Sequence, residues 1–418
     1  IDVLQSELDA LAEKLSASED RDRPRLWIDR VFSAKGAGTV VTGTLTDGSL
    51  KVDDELQLLP QKRQVRIRAL QNHYEECPDL PAGSRCAVNL SGVNHDEIVR
   101  GDVLVRDNQW HESSIFDASL HVLNQLGHSV SRKGAYVLYV GSGEHSARMR
   151  VLGSEELLPG SSGSVRFYVS TGLPLLPGDR FILRESGRSE TIGGGEVLDV
   201  DPQLSAADAV PDRSVDRLIR ERGWVEDKEL ERLTGKKVSP DIGKWIVDPE
   251  VLQETLKRIR YEVESAGPVG LDLSLLDERD RAAVELLDDL QPASGRLISP
   301  EFSHQLSDHP FVKQLIEFPF TPPDPKEVDR AELRELVRRG EVIEHDGIFF
   351  APVAVEKASE LVAELLKSNP EGFTVSTFRE SAGNTRKHAL PLLGHLDETG
   401  VTRRRGDVRI AGPRLPSI

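Results

Sequence analysis

Turn-forming residues recur at the short spacing of an all-β barrel from about residue 24 to residue 200, and then the recurrence stops. Between the turns lie short apolar and β-branched runs at 25–31, 55–59, 64–69, 86–90 and 103–105. A polar break at 107–113 separates them from a second set at 118–123, 136–140, 146–151, 163–169 and 181–183, which closes on Gly193-Gly194-Gly195. Runs this short bury an apolar face only by closing on one another, so the spacing predicts two β-barrels in tandem.

Beyond Asp201 the texture changes to charged amphipathic helices separated by prolines, as at 215–222 and 251–264. Here the chain repeats itself. "LRELVRRGEVIEHDGIFFA" (333–351) and "LGHLDETGVTRRRGDVRIA" (393–411) each give a helix end, a glycine, a short strand, a tight turn and a returning strand. Laid together, Gly340 meets Gly400 and Ala351 meets Ala411, while "LIRERGWVEDKELERLTG" (218–235) resembles "LLKSNPEGFTVSTFRESAG" (365–383). Helix, β link, helix, recognition helix and hairpin wing make a winged helix, and the repetition predicts an array of such modules. The fold class expected is therefore multidomain, two β-barrels followed by an α+β winged-helix array.

Several function classes are disfavoured. "DRVFSAKGAGTVVTGTLTDGSL" (29–50) is glycine-rich, but Val41 stands where a dinucleotide fingerprint needs its third glycine. Gly235-Lys236-Lys237 lacks both the earlier glycine and the hydroxyl of a P-loop. Cys77 and Cys86 form no Cys-x-x-Cys pair, which fits a reducing cytoplasm. No metal-ligand spacing is found among the histidines, and no nucleophile, base and orienting acid line up, so neither a metal site nor catalysis is expected of these residues. With 70 acidic against 53 basic residues the net charge is -17, so any RNA site has to be local. No apolar run approaches membrane-spanning length.

"GAGTVVTGTLTDGSLKVDDEL" resembles the second domain of translational GTPases of the elongation factor Tu type, and "LLPGDRFILRESGRSETIGGGEVLDV" (175–200) resembles the end of their third. "IDRVFSAKGAGTVVTGT" at one end and "FRESAGNTRKHALPLLGHLDETGVTRRRGDVRIAG" at the other are similar to the bacterial selenocysteine-specific elongation factors. The resemblance covers nearly the whole chain, least clearly at about 236–330. It implies a remnant helix of a GTPase domain at 1–23, barrels at 24–110 and 111–202, and winged helices at 203–266, 267–320, 321–355 and 356–418. Ile1, Leu4, Leu8, Leu11 and Leu15 make the apolar stripe expected of that helix. The resemblance further implies selenocysteinyl-tRNA, an mRNA selenocysteine insertion hairpin and the ribosome as partners of a cytoplasmic monomer, with no membrane. It implies no cofactor for these residues, and GTP with Mg2+ for the intact protein.

In that family the selenocysteine ester lies between the GTPase domain and the first barrel, and the resemblance carries the barrel side to Asp29, Arg30 and Arg85. A selenol ionises more readily than a thiol, so paired guanidinium groups favour it over neutral serine. Read on their own, the three make a surface ion pair and a barrel-rim cap. Lys35, Gly36 and Gly38 could approach a tRNA acceptor end, though turn geometry accounts for them equally. For the mRNA hairpin the candidates are Arg386 and Lys387, after Asn384 as a helix N-cap, with Arg403, Arg404, Arg405 and Arg409 on the last wing. In the repeat those wing arginines stand where Ile343, Glu344, His345 and Phe349 stand in the preceding unit, so the fold does not demand them. Pro391, inside the same helix, predicts a kink or a later helix start. The rival readings are a transcription regulator whose winged helices bind DNA and a generic elongation factor-like tRNA binder.

Overall fold

In the strand Arg63–Asn72, Val65, Ile67 and Leu70 turn inward and are buried, while the intervening Arg66 and Arg68 are exposed. Such alternation is what a strand covering one core face requires. The computed structural model describes residues 2–14, 20–34, 38–293, 295–302 and 308–416, in two units, 1–251 and 252–418.

In the first unit, six strands close in the order Glu55–Leu59, Val103–Val105, Arg25–Ala34, Gly38–Thr46, Arg85–Ser91 and Arg63–Asn72, the last pairing back on the first. Glu75–Cys77 adds to the open side of Arg63–Asn72. Leu26, Ile28, Val41, Ile67, Val88 and Leu104 fill the interior.

A second closed barrel runs Glu112–Val122, Ser162–Pro174, Gly143–Val151, Tyr136–Val140, Arg180–Glu185 and Glu190–Asp199. Its glycine triplet lies in the closing strand, where a β-carbon on Gly195 would stand 1.8 Å from the Ser119 carbonyl. Only a bare backbone lets the seam close.

The barrels are joined by Trp27, which leaves the first barrel's wall to pack into the second barrel's core cluster, where a β-carbon on Gly141 would strike its indole. Arg25 completes the joint. Its guanidinium donates to the Pro174 carbonyl at 2.8 Å, to both Asp179 oxygens at 2.5 and 2.7 Å and to Asp47 at 3.0 Å, and lies over the Trp110 ring.

Helices Val215–Arg222 and Asp227–Thr234 follow, with Trp224–Glu226 paired to Trp245–Val247. Ser214 caps the first helix, and Arg217 and Arg222 bind it to the barrel end through Asp199 and Asp201, each at 2.9 Å. The helix Asp2–Lys14 leaves Leu4, Leu8 and Leu11 exposed. Ile1 and Leu15 lie outside the described residues.

The second unit ends in a winged helix. Helices Pro352–Ser368, Val375–Ala382 and Arg386–Glu398 pack around Phe378, Leu392 and Leu396, and Phe373–Thr374, Val408–Ala411 and Thr402–Arg405 make its sheet. Before it, Phe311, Val312 and Leu315 of helix Pro310–Glu317 share one apolar cluster with Leu336 and Val342. The expected boundary at 320/321 thus falls inside a single core.

Glu335 sits in this part, 2% exposed, accepting from Arg338 at 2.7 and 2.8 Å and from Arg339 at 2.9 Å. Burial pushes its carboxyl up, but the two arginines outweigh it and hold it below the usual range. A depressed folded-state value means the stabilisation is present above the unfolded value near 4.3 and lost as pH falls through the folded one. Glu335→Gln should cost about 1–3 kcal/mol at pH 7, a difference that shrinks toward zero below about pH 4. Urea unfolding across pH tests this, and a pH-independent difference would contradict it.

Candidate nucleic-acid interface

Strand Arg25–Ala34 breaks its own alternation. Leu26 and Ile28 face the barrel core, and so does Val31, because Ile28 pairs with Gly43 and Arg30 with Thr42, leaving Asp29 as an extra residue. This β-bulge throws Asp29 and Arg30 together onto the outer face, where a regular strand would have turned Arg30 inward.

Arg85, on the outer face of its own strand, hydrogen bonds to Asp29, and the Thr42 hydroxyl donates to the other Asp29 oxygen at 2.6 Å. Partial burial raises the Asp29 carboxyl, but the bonds from Arg85 and Thr42 prevail and it ionises more readily than usual. Arg30 is exposed and, among the described residues, has no carboxylate partner. Two guanidiniums and one carboxylate leave the trio one positive charge in excess. The structure thus brings Asp29, Arg30 and Arg85 together.

A second bulge, between Ile67 and Ala69, leaves Arg68 outside as the extra residue and turns Leu70 inward, and one terminal nitrogen of Arg68 lies about 4.0 Å from where a Gly38 β-carbon would be. Gly38 has φ 86° and opens its strand. Lys35 and Gly36 lie outside the described residues.

On the second barrel, Arg148 and Arg150 alternate with Ala147, Met149 and Val151 along one strand and point outward. Arg132 and Lys133 line the same depression as Arg150, and so do Glu155 and Glu156, so these cations lie near carboxylates although they form no ion pairs among the described residues. Sequence reading missed this patch. The alternation was legible, but which cations escape ion pairing was not.

On the C-terminal module the wing carries Arg403, Arg404 and Arg405, all exposed. The preceding hairpin has the same register, Glu344 facing Phe349 as Arg404 faces Arg409. Arg409 does not join the exposed set. It is 7% exposed, and its Nε donates to Asp397 at 2.9 Å, whose other oxygen accepts from Thr402 at 2.5 Å. Phe349, its counterpart, also packs inward, against Phe311.

The recognition helix begins at Arg386 and runs through Pro391 to Glu398, with Thr385 at the N-cap position. Asn384, expected there, is instead buried one residue earlier, its side-chain amide without a hydrogen-bond partner among the described residues. Arg386 is exposed, and Lys387 is engaged by Asp324 at 2.9 Å.

Comparison with known proteins follows the same division. The family "Elongation factor Tu domain 2" matches residues 38–105, "Selenocysteine-specific elongation factor, beta-barrel domain" matches 118–204, and "Elongation factor SelB, winged helix" matches 364–411. The selenocysteine-specific elongation factor of Desulfomicrobium baculatum is 24% identical, over 98% of this chain and 75% of that protein. That of Escherichia coli K12 is 32% identical over 47% of this chain and 31% of its own length. A crystal structure of a bacterial selenocysteine-specific elongation factor, EF-Sec, superposes with a TM-score of 0.61 at 19% identity, covering 98% of this chain and 73% of that one, which shows a shared fold. No helix among the described residues is long and apolar enough to cross a membrane.

Proposed function

We propose, from the premise that this chain belongs with the selenocysteine-specific elongation factors and serves selenocysteine incorporation during translation, that its first barrel reads the aminoacyl group of selenocysteinyl-tRNA and its last winged helix holds an mRNA hairpin beside the codon. The observation that carries the reading is the bulge that sets Asp29 and Arg30 beside Arg85.

Asp29 fixes the Arg85 guanidinium, and Arg30 supplies the unbalanced positive charge. A selenolate placed there is stabilised as the anion, whereas a seryl hydroxyl gains no such attraction. Gly38, with Lys35 and Gly36, would let the acceptor end approach the same barrel, and the patch at Arg148 and Arg150 would meet the tRNA backbone. On the C-terminal module, Arg403, Arg404, Arg405 and Arg386 would contact hairpin phosphates. Lys387 would join them by exchanging Asp324 for a phosphate, while Arg409 serves the fold.

We place GTP and Mg2+ outside these residues. The sequence has no Gly-x-x-x-x-Gly-Lys-Ser/Thr run. On this reading the chain contributes binding on the ribosome, as a cytoplasmic monomer.

Arg30→Ala should lower the preference for selenocysteinyl-tRNA over seryl-tRNA by about tenfold, the size of one charge-assisted contact. The preference should also fall as pH is lowered enough to protonate the selenol. Filter binding of both tRNAs to wild type and variant reads this. An unchanged ratio would remove Arg30 from the pocket.

A further inference from the structure

The strands Arg63–Asn72 and Glu75–Cys77 are joined through His73 and Tyr74, with Asn72 paired to Glu75. Both loop residues have positive φ, 50° and 71°. A two-residue hairpin loop of this kind favours Asn-Gly or Asp-Gly, because a β-carbon is crowded in the left-handed region. Elsewhere this chain follows the rule. The hairpin from Ile343–His345 to Ile348–Phe350 turns through Asp346 and Gly347 at 49° and 74°, almost the same pair of angles.

Among the described residues no other Tyr, and no Phe or Trp, has positive φ. Tyr74 is also fully exposed, so no contact among the described residues offsets its backbone strain. A ring held where glycine would serve better, and touching nothing, points to use outside the chain.

The surroundings select the partner. His73, Glu75 and Glu76 beside it are polar, so the tip lacks the apolar ring of contacts that surrounds a protein-binding anchor. The barrel's outer face instead carries Arg68, Arg30 and Arg85, the first two unpaired among the described residues. A fully exposed aromatic ring at the tip of a barrel whose outer surface bears guanidiniums, and where Phe32 beside Arg30 is also partly exposed, suits stacking on one unpaired base.

We infer that Tyr74 is a stacking residue that holds an unpaired RNA base against the first barrel, a role that rests on the reading of this barrel as an RNA-binding platform. The base comes either from the bound tRNA or from the ribosome.

The test uses the full chain, with Tyr74→Ala, Tyr74→Trp and the double change His73→Asn with Tyr74→Gly. Thermal unfolding and affinities for selenocysteinyl-tRNA and for vacant ribosomes are measured in parallel. The double variant should melt above wild type, since its turn is relaxed. It and Tyr74→Ala should lose about 5- to 100-fold in affinity for one of the two RNAs, while Tyr74→Trp keeps it. The arm that loses affinity identifies the source of the base. Wild-type affinity in both arms for Tyr74→Ala, or a Tyr74→Trp as weak as Tyr74→Ala, overturns the stacking role alone. A wild-type chain that binds neither RNA overturns the platform reading, and the stacking role with it.

Discussion

Replacing Arg403, Arg404 and Arg405 together with Ala is expected to weaken binding to a selenocysteine-insertion hairpin about a hundredfold or more, since each phosphate contact contributes roughly 1–1.5 kcal/mol. The three side chains are exposed on one edge strand of the wing and have no carboxylate partner among the described residues, so their charge is available. The dependence of log affinity on log salt should flatten by about two to three, because each neutralised phosphate contributes close to one. Duplex DNA added as competitor at moderate salt should leave wild-type binding in place. Equal competition by DNA, or an unaltered salt slope in the triple variant, would move the RNA contact off the wing. Arg409→Ala should behave differently. It leaves Asp397 without its guanidinium, so the loss should appear in the module's melting temperature, with the salt slope kept.

Arg25→Ala should cost about 3–5 kcal/mol of unfolding free energy, as expected when one member of a buried ion pair is removed and the other stays behind. Arg25 is 4% exposed; Asp179 would lose its guanidinium, and Asp47 would keep only that of Arg21 at 3.3 Å. Those carboxylates outweigh the burial that opposes its charge, so its pKa is raised. Arg25→Ala combined with Asp179→Asn should cost less than the sum of the single changes, because the uncompensated carboxylate is gone. Denaturant unfolding of the four proteins closes the cycle. A loss under about 1 kcal/mol for Arg25→Ala, in the range of a surface pair, would show that the joint between barrels rests on Trp27 and its apolar neighbours alone.

Both barrels were legible in the sequence because each strand advertises itself locally, through alternation and the turn residues that bound it. What the alternation could not reveal was where it fails. The bulges at Asp29 and Arg68 depend on the register of a partner strand, and nothing within 25–34 or 63–72 records that register. The repeat aligned Arg409 with Phe349 of the preceding wing, but alignment alone does not distinguish the exposed side of a wing from its packed side. Asp397, which neutralises Arg409, lies on the recognition helix, and Asp324, which engages Lys387, is 63 residues away from it. Long-range carboxylates of this sort decide which cations of an acidic chain are free, and they become visible only on folding. The N-cap was misplaced by one residue for a smaller reason, since Asn384 and Thr385 both suit that position.

The helix Pro352–Ser368 belongs to two cores at once. Ala351, just before it, and Val353 in its first turn pack with Leu336 and Phe311, while Ala354, Ala358 and Val362 pack with Phe378 and Leu392. No flexible tether therefore separates the arginine wing from the preceding module. A tether would let the wing sample a cloud of positions, and its local concentration at a fixed point would fall with linker length. A shared helix instead concentrates the wing in a narrow range of angles, so a hairpin presented a few nucleotides out of phase would be met by the wrong edge of the module rather than by a diluted right one.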